Sequence, residues 1–275
     1  MRRVACLALV AGCSSAGQGV DGGSLDGAAA DGSIDADAAV PQGTRPFAIQ
    51  ADFIDVSRIV ALSKFRSLAG HDFSGGGETC RSMKHYFHPQ ETQESRAYQS
   101  AHNGLPQPPN GIDDIPIYSP IDGVITKVES EQYPVGRQIR IEAANQAGYA
   151  IRLFHIWPRD GLDPGNNQPV QIAVTAGEKI GVIAATQGTD IAIEQGWGKL
   201  VSYFELLPDS LFAAYQARGV QSRADVILTK EYRDAHAVAC EKGGGQQFTL
   251  PAGYDSSKED YVYLSGYVAN VDMKP

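Results

Sequence analysis

From residue 115 onward the chain alternates apolar and polar positions in short bursts. These are IPIYSP at 115–120, GVITKVES at 123–130, RQIRIEAA at 137–144, YAIRLFHIWP at 149–158, VQIAV at 170–174, KIGVIA at 179–184 and TDIAIE at 189–194. Short β-branched, alternating runs bounded by Gly, Pro, Asn and Asp predict the strands of an antiparallel sandwich or barrel. After residue 200 the period changes. Pro208 and Asp209 lead into SLFAAYQAR with Gly219 just beyond, a helix start and stop pair, and 222–236 opens on Ser222 and reads as partly helical. DYVYLSGYVANV at 260–271 reads as an edge strand or hairpin. Upstream, ADFIDVSRIVALS at 51–63 leaves helix and strand both open. Residues 64–89 are rich in His, Gly and polar groups, and 90–114 read as a long polar loop carrying Pro106, Pro108 and Pro109. No repeat of fixed period is present.

Residues 1–13 stand apart from the fold: Arg2 and Arg3 precede the apolar run Val4 to Ala11, the pattern of a secretory leader. Val10, Ala11, Gly12 and Cys13 resemble the lipobox of bacterial lipoproteins, which implies lipidation of Cys13 and attachment to the membrane through that anchor. Ser14 and Ser15 follow, and the lack of Asp there resembles the outer-membrane class, so the expected location is the lipid-anchored cell envelope. Residues 14–46 are Gly, Ala, Ser and Asp without an aromatic, a composition that cannot offset the entropy of ordering and predicts a flexible tether. Asp21, Asp26, Asp31, Asp35 and Asp37 concentrate much of the net charge of -9 in that stretch. With no broad positive surface to neutralise phosphates, nucleic acid is not an expected partner.

With Cys6 in the leader and Cys13 acylated, Cys80 and Cys240 remain, and two thiols in an oxidising compartment are expected to pair. The alternative reading makes Cys80 a metal ligand and Cys240 a buried thiol.

Taken in order, IYSPIDGVITKV, RQIRIEA, YAIRLFHIWP, VTAGEKIGVIA and TDIAIE resemble the LytM or lysostaphin-type zinc peptidase family. The matching positions are Tyr118, Pro120, Asp122 and Gly123; His155; and Ala176, Gly177, Ile180 and Gly181. The resemblance covers roughly residues 65–195. It implies a mainly β fold, a LytM-like antiparallel sandwich or barrel of the duplicated hybrid motif kind at 47–200, with a helical and edge-strand C-terminal extension at 201–275 packed on it.

An active member of that family holds zinc through an H-x-x-x-D motif and the second His of an H-x-H strand, leaving a position for water. Here the first motif aligns Leu68 with the His and Asp72 with the Asp, while the H-x-H strand becomes Asp190 and Ala192. Only His155 matches a catalytic position outright. Leucine and alanine donate nothing to a metal, so the family's site does not form on this alignment. His71, Asp72, His85 and Asp190 or His155 have the right chemical types for a rearranged site, and His85 and His88 would share a helix face at i and i+3. No cofactor is expected, with zinc the candidate if a metal is held. Trp197, flanked by Gly196 and Gly198, is the aromatic residue best placed to be a partly exposed, sugar-stacking ring.

Two classes of function follow. The first is an envelope lipoprotein whose degenerate LytM-like domain binds peptidoglycan or an envelope protein partner. The second is a divergent zinc peptidase that cuts peptidoglycan cross-links with the rearranged ligand set. A weaker third is a carbohydrate-binding or structural surface protein.

Overall fold

The computed structural model of the 275-residue chain describes residues 49–103, 109, 111, 114–131, 135–165, 167–196, 198–241 and 247–266. The expected leader with Cys13, the tether at 14–46 and Trp197 lie outside the described residues.

The described chain is mainly β, in antiparallel sheets that do not close into a barrel. A 3-10 turn at Val56–Arg58 leads into β1, Ile59–Ser63. Next come β2, His85–Pro89, and helix α1, Gln93–Ala101. The strands β3 (Ile115–Tyr118), β4 (Gly123–Ser130), β5 (Arg137–Ala143), β6 (Tyr149–Pro158), β7 (Pro169–Val174), β8 (Lys179–Ile183) and β9 (Thr189–Gln195) coincide with the seven alternating runs. After β10 (Lys199–Val201) follow α2 (Tyr203–Leu206), α3 (Asp209–Gln216) and α4 (Lys230–Ala235). The chain then forms β11 (Ala239–Cys240), β12 (Phe248–Thr249), α5 (Ser256–Glu259) and β13 (Tyr261–Tyr263).

The main sheet runs β13-β1-β2-β9-β6-β5-β4-β7, with β10 on β9 and the β3–β8 pair joined through β6. The C-terminal segment thus contributes an edge strand beside β1. Two elements go beyond the sequence reading. HYFHP pairs with both β1 and β9, and α1 is started inside the 90–114 segment by reciprocal capping between Thr92 and Ser95.

Strand alternation sorts the side chains into two faces. Ile125, Ile139, Ile141, Ile151, Leu153, Ile191 and Ile193 turn inward, packed in one cluster with Phe53, Phe87, Tyr203 and Phe204. Each such fully buried side chain contributes about 1.5–3 kcal/mol. Phe53 meets Phe87 edge-on at 4.8 Å between ring centres. Two glycines of the family-like motif have a packing reason. A Cβ on Gly123 would lie 2.5 Å from the Glu142 carbonyl oxygen, and one on Gly181 would lie 2.5 Å from that of Trp157. Both residues let neighbouring strands approach closely.

Candidate functional site

The site lies on the other face of the sheet, where β2, β9 and β6 run side by side. Asp190 pairs through its backbone with Tyr86 on β2 and Phe154 on β6, so these three side chains share one face. Ala192 and Glu194 follow on that face at the period of two, opposite Arg152 and Ala150 of β6.

His155 reaches this face through a bulge. Between β5 and β6 the register runs from Arg137↔Ile156 to Ile139↔Leu153, so β6 carries one extra residue there, and His155 adopts φ +63°. A bulge frees a backbone group and re-aims a side chain. Both consequences are visible in Glu131, whose Oε2 accepts from the His155 backbone N–H at 3.0 Å and from the ring Nδ1–H at 2.7 Å. The other ring nitrogen, Nε2, lies 3.2 Å from Asp190 Oδ1.

Asp190 is fully buried, and its Oδ2 is in ion-pair contact with Lys84, whose side chain is 3% exposed. Neither carboxylate oxygen accepts in hydrogen-bond alignment, so Coulomb attraction holds the pair rather than directed bonding. The Lys84 ammonium sits over three rings, 4.4 Å from the centre of Phe154, 4.7 Å from Tyr86 and 5.0 Å from Phe73. On its far side, His71 Nε2 lies 3.4 Å away, and His71 Nδ1–H donates to the Asp72 carbonyl at 3.0 Å. The result is one polar chain: His71, Lys84, Asp190, His155, Glu131.

The charges follow from this order. Burial opposes ionisation of Asp190, but the Lys84 ammonium and the His155 imidazolium outweigh it and hold the carboxyl down at about 2. Burial likewise opposes a charged His155, yet the carboxylates of Asp190 and Glu131 on its two nitrogens raise it to about 10. His71 is lowered by burial first and by Lys84 second. At neutral pH the Asp190 carboxylate therefore faces the His155 imidazolium, with His71 neutral.

The residues expected to form a rearranged metal site do not all converge. His71, Asp190 and His155 join the chain just described. His85 does not: residues 85–89 form a strand rather than a helix, so the spacing that would align His85 with His88 places them on opposite faces. His85 is buried on the core side, where Nδ1–H donates to the Ser63 carbonyl at 2.8 Å and Nε2 accepts from the Ser202 hydroxyl at 2.7 Å. Burial lowers it to about 4. Asp72 points away as well, its Oδ1 accepting from the Arg81 backbone at 3.1 Å. Leu68 lines a cleft of about 310 Å³ beneath the C-terminal segment with Leu228, Tyr232 and Tyr254, and Ala192 packs with Phe65, Met83 and Phe154.

Cys80 and Cys240 are joined as a disulfide across a sequence separation of 160 residues. Asp72 stands beside the bridge, with Oδ2 3.7 Å from Cys240 Sγ, and the three residues form the one group of metal-ligand types within reach of each other among the described residues. Disulfide sulfurs are not thiolates, so in this state the group offers a single carboxylate and does not fit a zinc ion. The family-like positions do not fit one either, since Leu68 and Ala192 present hydrocarbon and the third, Asp72, is turned to the Arg81 backbone.

Lys84 and Glu131 carry no sequence signal. A lysine in a polar stretch reads as solvated, and Glu131 follows β4 with no partner in view until β6 bulges toward it. No protein-family model, curated protein or solved structure matches the chain.

Proposed function

We propose that the protein is an exported, lipid-anchored envelope protein whose LytM-like domain is catalytically silent and binds peptidoglycan through its stem peptides. The observation that carries this reading is Lys84. Its ammonium is locked against Asp190, the residue that stands where the family-like alignment expects the first histidine of H-x-H, and it is shielded by Phe73, Tyr86 and Phe154. A fixed cation there repels a second one, and Leu68 and Ala192 withhold the ligands that would outcompete it. What catalysis would have required is thus given over to an internal ion pair, while the surrounding surface remains available for binding.

The binding surface we assign is the cleft of about 410 Å³ lined by Arg140, Glu142, Tyr149, Glu194, Gly196 and Gly198. Arg140 pairs with Glu194 and Glu142, and Arg152 reaches Glu194 at 3.3 Å, so charges of both signs alternate along it. Stem peptides carry both carboxylates and amines, and alternating charge complements them. Metal analysis of the purified, unreduced chain after incubation with zinc tests the silent centre. Bound zinc well below one ion per chain is expected, and one tightly held ion per chain with clearing of a cell-wall suspension would overturn the reading.

A further inference from the structure

The Lys84–Asp190 contact has the makings of more than an ion pair. We propose that Lys84 Nζ and Asp190 Cγ become joined by an amide bond, an intramolecular cross-link between the entry to β2 and strand β9 that forms without any other reactant. Lys84 immediately precedes His85 at the start of β2, and Asp190 is the second residue of β9, its hydrogen-bonded neighbour. The sheet therefore holds amine and carboxyl in contact, and a reaction that is slow between separate molecules gains the large effective concentration of fixed partners.

Three further features fit the chemistry. The three rings around Nζ and the full burial of Asp190 exclude bulk water, the reagent of the reverse reaction. His155 Nε2 lies 3.2 Å from Oδ1, with Glu131 on its other nitrogen, and the imidazolium charge polarises the carbonyl and favours an oxyanion forming on that oxygen. His155 itself is 32% exposed, which opens a route for water to leave.

The step balances without an oxidant, reductant or activating group. The ammonium passes one proton to Oδ2, giving a neutral amine and a neutral acid. The nitrogen lone pair forms the new bond to Cγ as negative charge moves onto Oδ1. The charge on Oδ1 then returns, the Cγ–Oδ2 bond breaks, and Oδ2 departs as water with a second proton from nitrogen. In sum, an ammonium and a carboxylate become one amide and one water. The product suits its surroundings, because Oδ1 persists as an amide oxygen beside His155 and the remaining N–H keeps His71 Nε2 as its neighbour, at 3.4 Å before reaction. Two buried charges are removed.

Peptide mapping of the purified full chain tests this directly. After reduction and alkylation to open Cys80–Cys240, trypsin leaves Asp190 in the peptide 180–199. It spares an acylated Lys84, so residues 82–96 stay whole. The expected product is 82–96 joined to 180–199, lighter than their sum by one water. In Lys84→Arg, which keeps the cation and offers no primary amine, peptide 180–199 is expected at its unlinked mass. Because the readout follows denaturation, it does not depend on how well the variant folds. Recovery of 82–84 and 180–199 as separate peptides from the unsubstituted protein, with none of the linked species, would overturn the proposal.

Discussion

Removing the disulfide by Cys80→Ser with Cys240→Ser should cost several kcal/mol of global stability while leaving the fold intact. The bridge spans a sequence separation of 160 residues, and chain-entropy scaling gives about 5 kcal/mol for a closed loop of that length. The native state keeps other ties between the same segments, so the loss should come from the unfolded chain. Arg81 pairs with Asp234 at 2.7 Å, Arg233 Nε donates to the Arg66 carbonyl at 2.9 Å, and β13 remains zipped to β1. A Lys84–Asp190 amide would short-circuit much of the loop and lower the figure to about 4 kcal/mol on the same scaling. Urea unfolding followed by circular dichroism is the assay. The midpoint should fall, and the slope should rise because the uncrosslinked unfolded state exposes more surface. A loss below about 1 kcal/mol with an unchanged slope would refute the reasoning. It would mean that the Cys240 hairpin detaches locally before the rest unfolds.

Three other outcomes are expected. His85 is held neutral in the fold, with its value lowered to about 4, so its contribution is complete above its unfolded value near 6.5 and is lost as pH falls toward 4. By linkage this is worth about 3 kcal/mol, and His85→Gln should flatten the acid limb of a stability–pH profile. A wild-type profile flat between pH 7 and 4 would contradict it. His155 has the opposite sign: raised to about 10, it stabilises fully below about 6.5 and loses that contribution as pH rises toward 10. In Lys84→Arg, which keeps Asp190 a carboxylate, the His155 ring resonances should hold the imidazolium shift from pH 6 to 9 by NMR, and adding Glu131→Gln should bring a titration into that window. Gly181→Ala forces a Cβ to within 2.5 Å of the Trp157 carbonyl oxygen and should cost about 1–3 kcal/mol in thermal unfolding; a neutral result would remove the close-approach argument.

Local pattern reached β3 to β9, whose strands alternate between a buried and a wet face, and it reached α3 through Asp209 and Gly219. It missed β2 because HYFHP sits among glycines and histidines with Pro89 at its end, and its strand character comes from pairing with β1 and β9. The α1 start was hidden for a related reason: its cap uses Ser95 in place of the usual Glu or Gln, inside a segment with little apolar character. His155 and Asp190 stood out because they occupy positions of an ordered motif. Lys84 and Glu131 are joined to them by a sheet neighbour distant in sequence and by a backbone bulge, neither of which has a local signature. His85 looked like a companion of His71 until strand alternation turned it to the core.

The central claim is a domain that binds the cell wall and does not cut it. Its most direct test is co-sedimentation of the purified chain with isolated sacculi in the presence of zinc, with soluble muropeptides measured in the same supernatant. The account predicts that the protein pellets with the sacculi, that free stem peptide releases it, and that muropeptides stay at the level of a protein-free control. Protein left wholly in the supernatant, or muropeptides released in a zinc-dependent way, would contradict it.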